Sequence, residues 1–108
     1  MLPKKNRADT KAVEKIFKEG RFLNSPNLTF KFILKGNSVS PQISFIVPKT
    51  VSRLAVKRNF LRRLGYNALQ KHLEQFPTGI SGVFVFKKYQ DDTSVLENEI
   101  QNILSKIN

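Results

Sequence analysis

Seven polar side chains within fifteen residues have the types and spacing best suited to chemistry: Lys49, Arg53, Lys57, Arg58, Asn59, Arg62 and Arg63. Guanidinium groups are planar forks that meet phosphate oxygens two bonds at a time. An amide such as Asn59 adds a donor and an acceptor suited to a sugar hydroxyl or a base edge. At about 100° per residue, Leu54, Val56, Phe60, Leu61, Leu64 and Ala68 fall within one broad arc. Arg58, Asn59 and Arg62 fall on the opposite side, with Arg63 at the border. The pattern predicts a helix anchored to a sheet by its apolar arc while its cations face outward. Lys57 projects among the apolar positions and is expected to snorkel out along the helix. The chemistry implied is recognition of a polyanion.

Bond-breaking chemistry lacks its usual components. A protein nuclease needs clustered carboxylates or a histidine. The one histidine, His72, stands near the end of the same helix and is expected on its surface. Asp91 and Asp92 precede a helix, where acids complement the dipole. Glu97 and Glu99 are two residues apart and do not face each other on a helix. Gly79 and Gly82 flank Ser81 with no lysine following, so no Gly-rich phosphate loop is present. The absence of cysteine excludes disulfides and thiolate metal sites. Neither a protein catalytic residue nor a protein-bound cofactor is expected.

Charge placement strengthens the polyanion reading. Nineteen Lys and Arg stand against eight Asp and Glu, a formal net charge of +11. All eight acids lie outside the fifty-four residues from Gly20 to Leu73, which hold ten bases. A surface tuned only for solubility would mix the signs. A phosphate-facing surface excludes carboxylates.

The elements that position these residues can be read from periodicity. Residues 1–8 form a basic arm, and a short helix follows over 10–19, capped by Asp9 or Thr10 and ended by Gly20. Residues 21–27 read as loop. Residues 28–35 alternate as a strand, with Leu28, Phe30, Phe32 and Leu34 toward the core. Thr29, Lys31, Ile33 and Lys35 make the other face, too polar for core. A loop over 36–41 leads to a strand over 42–47. Ser52 is placed to cap the long helix over 53–73, in which Gly65 costs about 1 kcal/mol relative to Ala. A turn at 77–79, a buried strand over 80–86 and a connection at 87–92 follow. The chain ends in an amphipathic helix with Leu96, Ile100, Ile103, Leu104 and Ile107 on one face, capped by Ser94, Asp92 or Thr93. The order is α-β-β-α-β-α in one α+β domain spanning 1–108.

An open, polar sheet face with lysines and nearby aromatics suits extended single-stranded nucleic acid. For Phe17, base stacking and ordinary core packing both fit the sequence. For Lys31, a backbone contact and a solvated strand lysine both fit. No apolar run approaches a membrane span, and MLPKKNRADT lacks the apolar core of a signal peptide. The expected setting is a bacterial-type cytoplasm without membrane association.

The segment Ala55-Val56-Lys57-Arg58-Asn59-Phe60-Leu61-Arg62-Arg63-Leu64 resembles the signature of the bacterial ribonuclease P protein family, roughly A-V-x-R-N-R-[IL]-K-R-L after a V-S-K-K-type stretch. The opening LPKKNR and the helix from Glu14 to Gly20 also resemble that family. The sequence departs from the pattern at Phe60 for the second Arg of R-N-R, at Thr50 for the second Lys, at Tyr66-Asn67 for Arg-Glu, and at Val13 for an aromatic.

The resemblance implies an α-β-β-(β)-α-β-α sandwich with a central sheet, one short extra strand of unassigned position, and a left-handed β-α-β crossover. It implies a subunit that binds ribonuclease P RNA through Lys49, Arg53, Lys57, Arg58, Asn59, Arg62 and Arg63. It also implies a cleft for the 5′ leader of precursor tRNA at Val13, Phe17 and Lys31. Cleavage chemistry would belong to the RNA and its Mg²⁺, and the protein would act as a monomer in the holoenzyme. The rival from composition alone is another basic RNA-binding module, such as a ribosomal protein.

Overall fold

A computed structural model of the chain describes residues 10–34 and 40–107. The basic arm at 1–8, the cap at Asp9 or Thr10, Lys35, and most of the predicted loop at 36–41 lie outside the described side chains. The elements run α1 (Thr10–Glu19), β1 (Arg21–Asn24), β2 (Leu28–Leu34), β3 (Gln42–Ile46), α2 (Ala55–Gln70), a short 3₁₀ turn (Leu73–Gln75), β4 (Ile80–Phe86) and α3 (Thr93–Ile107).

The extra strand is β1, in residues read from the sequence as loop. Four residues between Gly20 and a Ser-Pro-Asn turn carry too little periodicity to register alone. They become a strand because β2 offers them an edge: Arg21 pairs with Phe32, Phe22 with Lys31, Leu23 with Phe30 and Asn24 with Thr29, antiparallel. The sheet order is β1-β2-β4-β3, with β2 antiparallel and β3 parallel to β4. The parallel pair β3 and β4 is joined through α2, which makes a β-α-β crossover.

Period-2 alternation separates the two sheet faces. Phe30 and Phe32 of β2, Ile43 and Phe45 of β3, and Ile80, Phe84 and Phe86 of β4 join one buried cluster with residues of α2 and α3. Its rings pack tightly: Phe30 lies 4.3 Å from Phe84, and Phe45 lies 5.0 Å from Phe84, centroid to centroid. Each such fully buried ring contributes about 1.5–3 kcal/mol through burial. Among the described residues, the other face carries α1, which packs against β2 and β4. There Ile16 and Val83 are fully buried, outside the main cluster. Leu34, predicted to join the core, is 51% exposed at the end of β2.

Two close approaches fix α2. Gly65 is more than a helix weakener: a Cβ there would stand 2.5 Å from the Phe45 ring. One residue on, the Tyr66 hydroxyl accepts a hydrogen bond from the Phe45 amide at 3.2 Å. The helix is shorter than the predicted 53–73. Pro48 O takes the Val51 and Ser52 amides, which closes a separate turn, so the cap position falls to Leu54 with no side-chain bond from Ser52.

The predicted apolar arc of α2 is only half buried. Leu61, Gly65, Ala68 and Leu69 face the core, but Leu54, Val56 and Phe60 are exposed. The exposed members all precede Leu61, and the buried ones begin there.

α3 starts under Asp92, whose Oδ1 accepts the Ser94 amide at 2.9 Å. His72 is buried, contrary to the surface position expected, because α3 brings Glu97 Oε1 to 3.0 Å from its Nε2. Glu99 points elsewhere, as its spacing from Glu97 requires. It is buried and accepts the Asn27 amide at 2.7 Å, Asn27 Nδ2 at 2.6 Å and the Ser25 hydroxyl, which fastens the β1–β2 turn to α3. Gly79 adopts φ 80°, a left-handed turn conformation that favours glycine, just before β4.

Candidate nucleic-acid interface

Two surfaces hold the residues singled out in the sequence. The first is α2 with the turn that feeds it. Lys49, Arg53 and Arg58 line one hollow together with Thr50, Val51 and Ser52. Arg58 is half buried and not free in solvent: its Nη1 donates to Ser52 O at 3.0 Å and to Arg53 O at 2.8 Å. These two bonds satisfy carbonyls of the incoming turn and hold the hollow in shape, so Arg58 supplies charge and architecture together.

One helical turn later, Arg62 and Arg63 are exposed, and Arg62 Nη2 donates to Asn59 Oδ1. That bond orients the amide and the guanidinium as a pair, leaving the other guanidinium donors outward. Lys57 stands apart from the rest. Its ammonium lies 5.9 Å from the ring centroid of Tyr89, a residue the sequence reading did not single out. Since Val56 and Phe60 beside it are exposed, Lys57 does not need to snorkel out of an apolar face. Among the described residues, no carboxylate lies within ion-pair distance of these cations. The potential over this face is therefore uncompensated positive.

The second surface is the sheet face under α1. Phe17 is 45% exposed, so it is not a core residue. The Lys31 ammonium sits 4.6 Å above its ring centroid, within the range of a cation–π contact. Val13 and Phe17 line the same shallow hollow along α1, together with Lys11, Lys15 and Lys18 and the carboxylates Glu14 and Glu19. The register adds Phe22, which stands directly opposite Lys31 and is 62% exposed. Sequence reasoning missed Phe22 because β1 itself was missed. The available signal was the three-residue break, Ser25 to Asn27, between Arg21–Asn24 and the alternating strand, the length of a hairpin loop.

Among the described residues, no group of three or more His, Cys, Asp or Glu side chains could hold a metal ion. No helix there is long and apolar enough to cross a membrane.

A family model for ribonuclease P matches residues 2–108. The chain belongs to the ribonuclease P protein family. Curated relatives include the ribonuclease P protein component of Borreliella afzelii (strain PKo), 30% identical over 95 residues, 88% of this chain and 85% of that one. The ribonuclease P protein component of Pseudanabaena sp. (strain PCC 6903) is 28% identical over 109 residues, covering 98% and 94% of the two chains. The fold matches the solved RNase P protein from Thermotoga maritima with a TM-score of 0.81 at 21% identity, over 94% of this chain and 97% of that one. An RNase P protein mutant from Staphylococcus aureus matches at 0.79 and 15% identity, over 94% and 87%. The mixed α+β architecture is thus that of ribonuclease P proteins, and the ribosomal-protein alternative is not favoured.

Proposed function

We propose that this ribonuclease P protein subunit binds ribonuclease P RNA through the solvent face of α2 and the hollow before it, and the 5′ leader of precursor tRNA through the sheet face under α1. The observation that carries the reading is the exposed row on α2. Asn59, Arg62 and Arg63 point outward beyond a turn braced by Arg58, in a stretch of chain without one acid. Such a face neutralises phosphates and releases their counterions on binding. The leader, a single strand, suits the other surface. Lys31 would meet its backbone, while Phe17 and Phe22 offer rings to unpaired bases, with Val13 alongside.

Hydrolysis in this proposal belongs to the RNA and its Mg²⁺, with the protein positioning substrate as a monomer in the cytoplasm. The test is reconstitution: purified protein added to ribonuclease P RNA at low Mg²⁺, followed by 5′ leader cleavage of precursor tRNA. The protein is expected to restore cleavage under conditions where the RNA alone is slow, and to show none by itself. Cleavage by RNA-free protein, or no stimulation of the RNA, overturns the reading.

A further inference from the structure

The exposed surface of α2 is not wholly basic. Val56 is 73% exposed and Phe60 is 42% exposed, four residues apart and so adjacent on one helix face. Arg63 lies three residues beyond Phe60 on that face, and Asn59, bonded to Arg62, lies beside it. The strip is opposite Leu61, Gly65, Ala68 and Leu69, which are buried in the core. Phe60 therefore adds little to the core, although it stands where the family pattern has an arginine.

We propose that Phe60 and Val56 seat one unpaired nucleobase of the RNA bound by α2, with the Phe60 ring stacked on the base and Asn59 and Arg63 at its ribose-phosphate. The inference rests on α2 being the RNA-binding face and adds a contact of a different kind. Charge decides the occupant. An apolar strip flanked by Lys57 and Arg63 on a chain of net charge +11 repels a second copy of itself. An RNA strand supplies both the negative backbone these cations match and a π-face that a phenyl ring can meet. A guanidinium at this position would take a phosphate; a phenyl ring takes a base instead.

The two contact types differ in salt dependence. A phosphate contact releases counterions and adds to the slope of affinity against salt, whereas a stacking contact does not. Filter binding of ribonuclease P RNA across a salt series, for wild type, Phe60→Ala, Phe60→Tyr and Arg62→Ala, separates them. Phe60→Ala is expected to weaken binding roughly 5- to 100-fold at every salt concentration with an unchanged slope. Phe60→Tyr, which keeps the ring, should bind like wild type. Should thermal melting show Phe60→Ala misfolded, Phe60→Leu replaces it, with the same loss expected because it lacks the ring. Wild-type affinity in the ringless variant overturns the proposal. So does a slope reduced as far as in Arg62→Ala, or a wild-type dimer in sedimentation that the ringless variant dissolves. A loss in Arg62→Ala without one in the ringless variant removes only the base seat. No RNA binding by wild type, or none altered by Arg62→Ala, removes the RNA reading of α2 as well.

Discussion

Phe30, Phe45 and Phe84 on one face of the sheet, and Phe22 with nearby Phe17 on the other, are the same side chain in two settings. The first three stack on one another and are at most 3% exposed. The other two are 62% and 45% exposed, and their close neighbour is the lysine Lys31. The difference lies in what covers each face. Two long helices, α2 and α3, close the first, while among the described residues ten-residue α1 covers the part of the second around Ile16 and Val83. A phenylalanine holds the fold together where a helix lies over it and is open to a ligand where the helix runs out.

That contrast can be broken by substitution, and the largest effect belongs to the covered face. Phe84→Ala should cost about 3–5 kcal/mol, since the ring is fully buried against Phe30 and Phe45. For a domain of this size each kcal/mol lowers Tm by roughly 4–8 °C, so a thermal melt reads it directly. Gly65→Ala comes next. Alanine favours a helix by about 1 kcal/mol over glycine, yet its Cβ would meet the Phe45 ring at 2.5 Å. Overpacking wins, with a net loss of about 1–3 kcal/mol, and a melt no lower than wild type would contradict that packing.

Arg58→Ala should lose about 1 kcal/mol of stability as well as RNA affinity, because it frees Ser52 O and Arg53 O. Arg62→Ala, at an exposed side chain bonded to Asn59, should leave stability within ~0.5 kcal/mol of wild type and lower the salt slope by about one unit. Paired denaturation and filter-binding curves separate the two arginines. The smallest effect is expected on the open face. Lys31→Ala should leave the melt within ~0.5 kcal/mol and erode the holoenzyme's preference for a precursor with a leader of several nucleotides over one with a single nucleotide. Equal losses on both substrates would move Lys31 out of the leader surface.

Strong local periodicity made part of this legible in the sequence. The alternation through Leu28–Leu34 separates Phe30 and Phe32 from Thr29 and Lys31, and the apolar run at Ile80–Phe86 marks β4 with its observed bounds. What escaped depends on partners distant along the chain. β1 exists because β2 pairs with it, and His72 is buried because Glu97, twenty-five residues away, reaches it. A helical projection groups Leu54, Val56 and Phe60 with Leu61, but cannot tell how far along the helix the sheet extends. The candidate cations were legible by type and spacing; the bracing role of Arg58 was not, since it depends on how the turn from Pro48 closes.

β3 is an outer strand with β4 on one side only. Outer strands commonly invite another chain to add itself, and proteins defend them with charges, prolines or bulges. Here a helix does the guarding. At the fourth residue of a five-residue strand, the Phe45 amide is already held by the Tyr66 hydroxyl, while the Tyr66 ring meets the Phe45 ring edge-on at 5.1 Å. An incoming strand would find that donor occupied and an aromatic side chain across its approach. The contact that seats α2 on the sheet thus also takes up the donor that a strand joining this edge would need at Phe45.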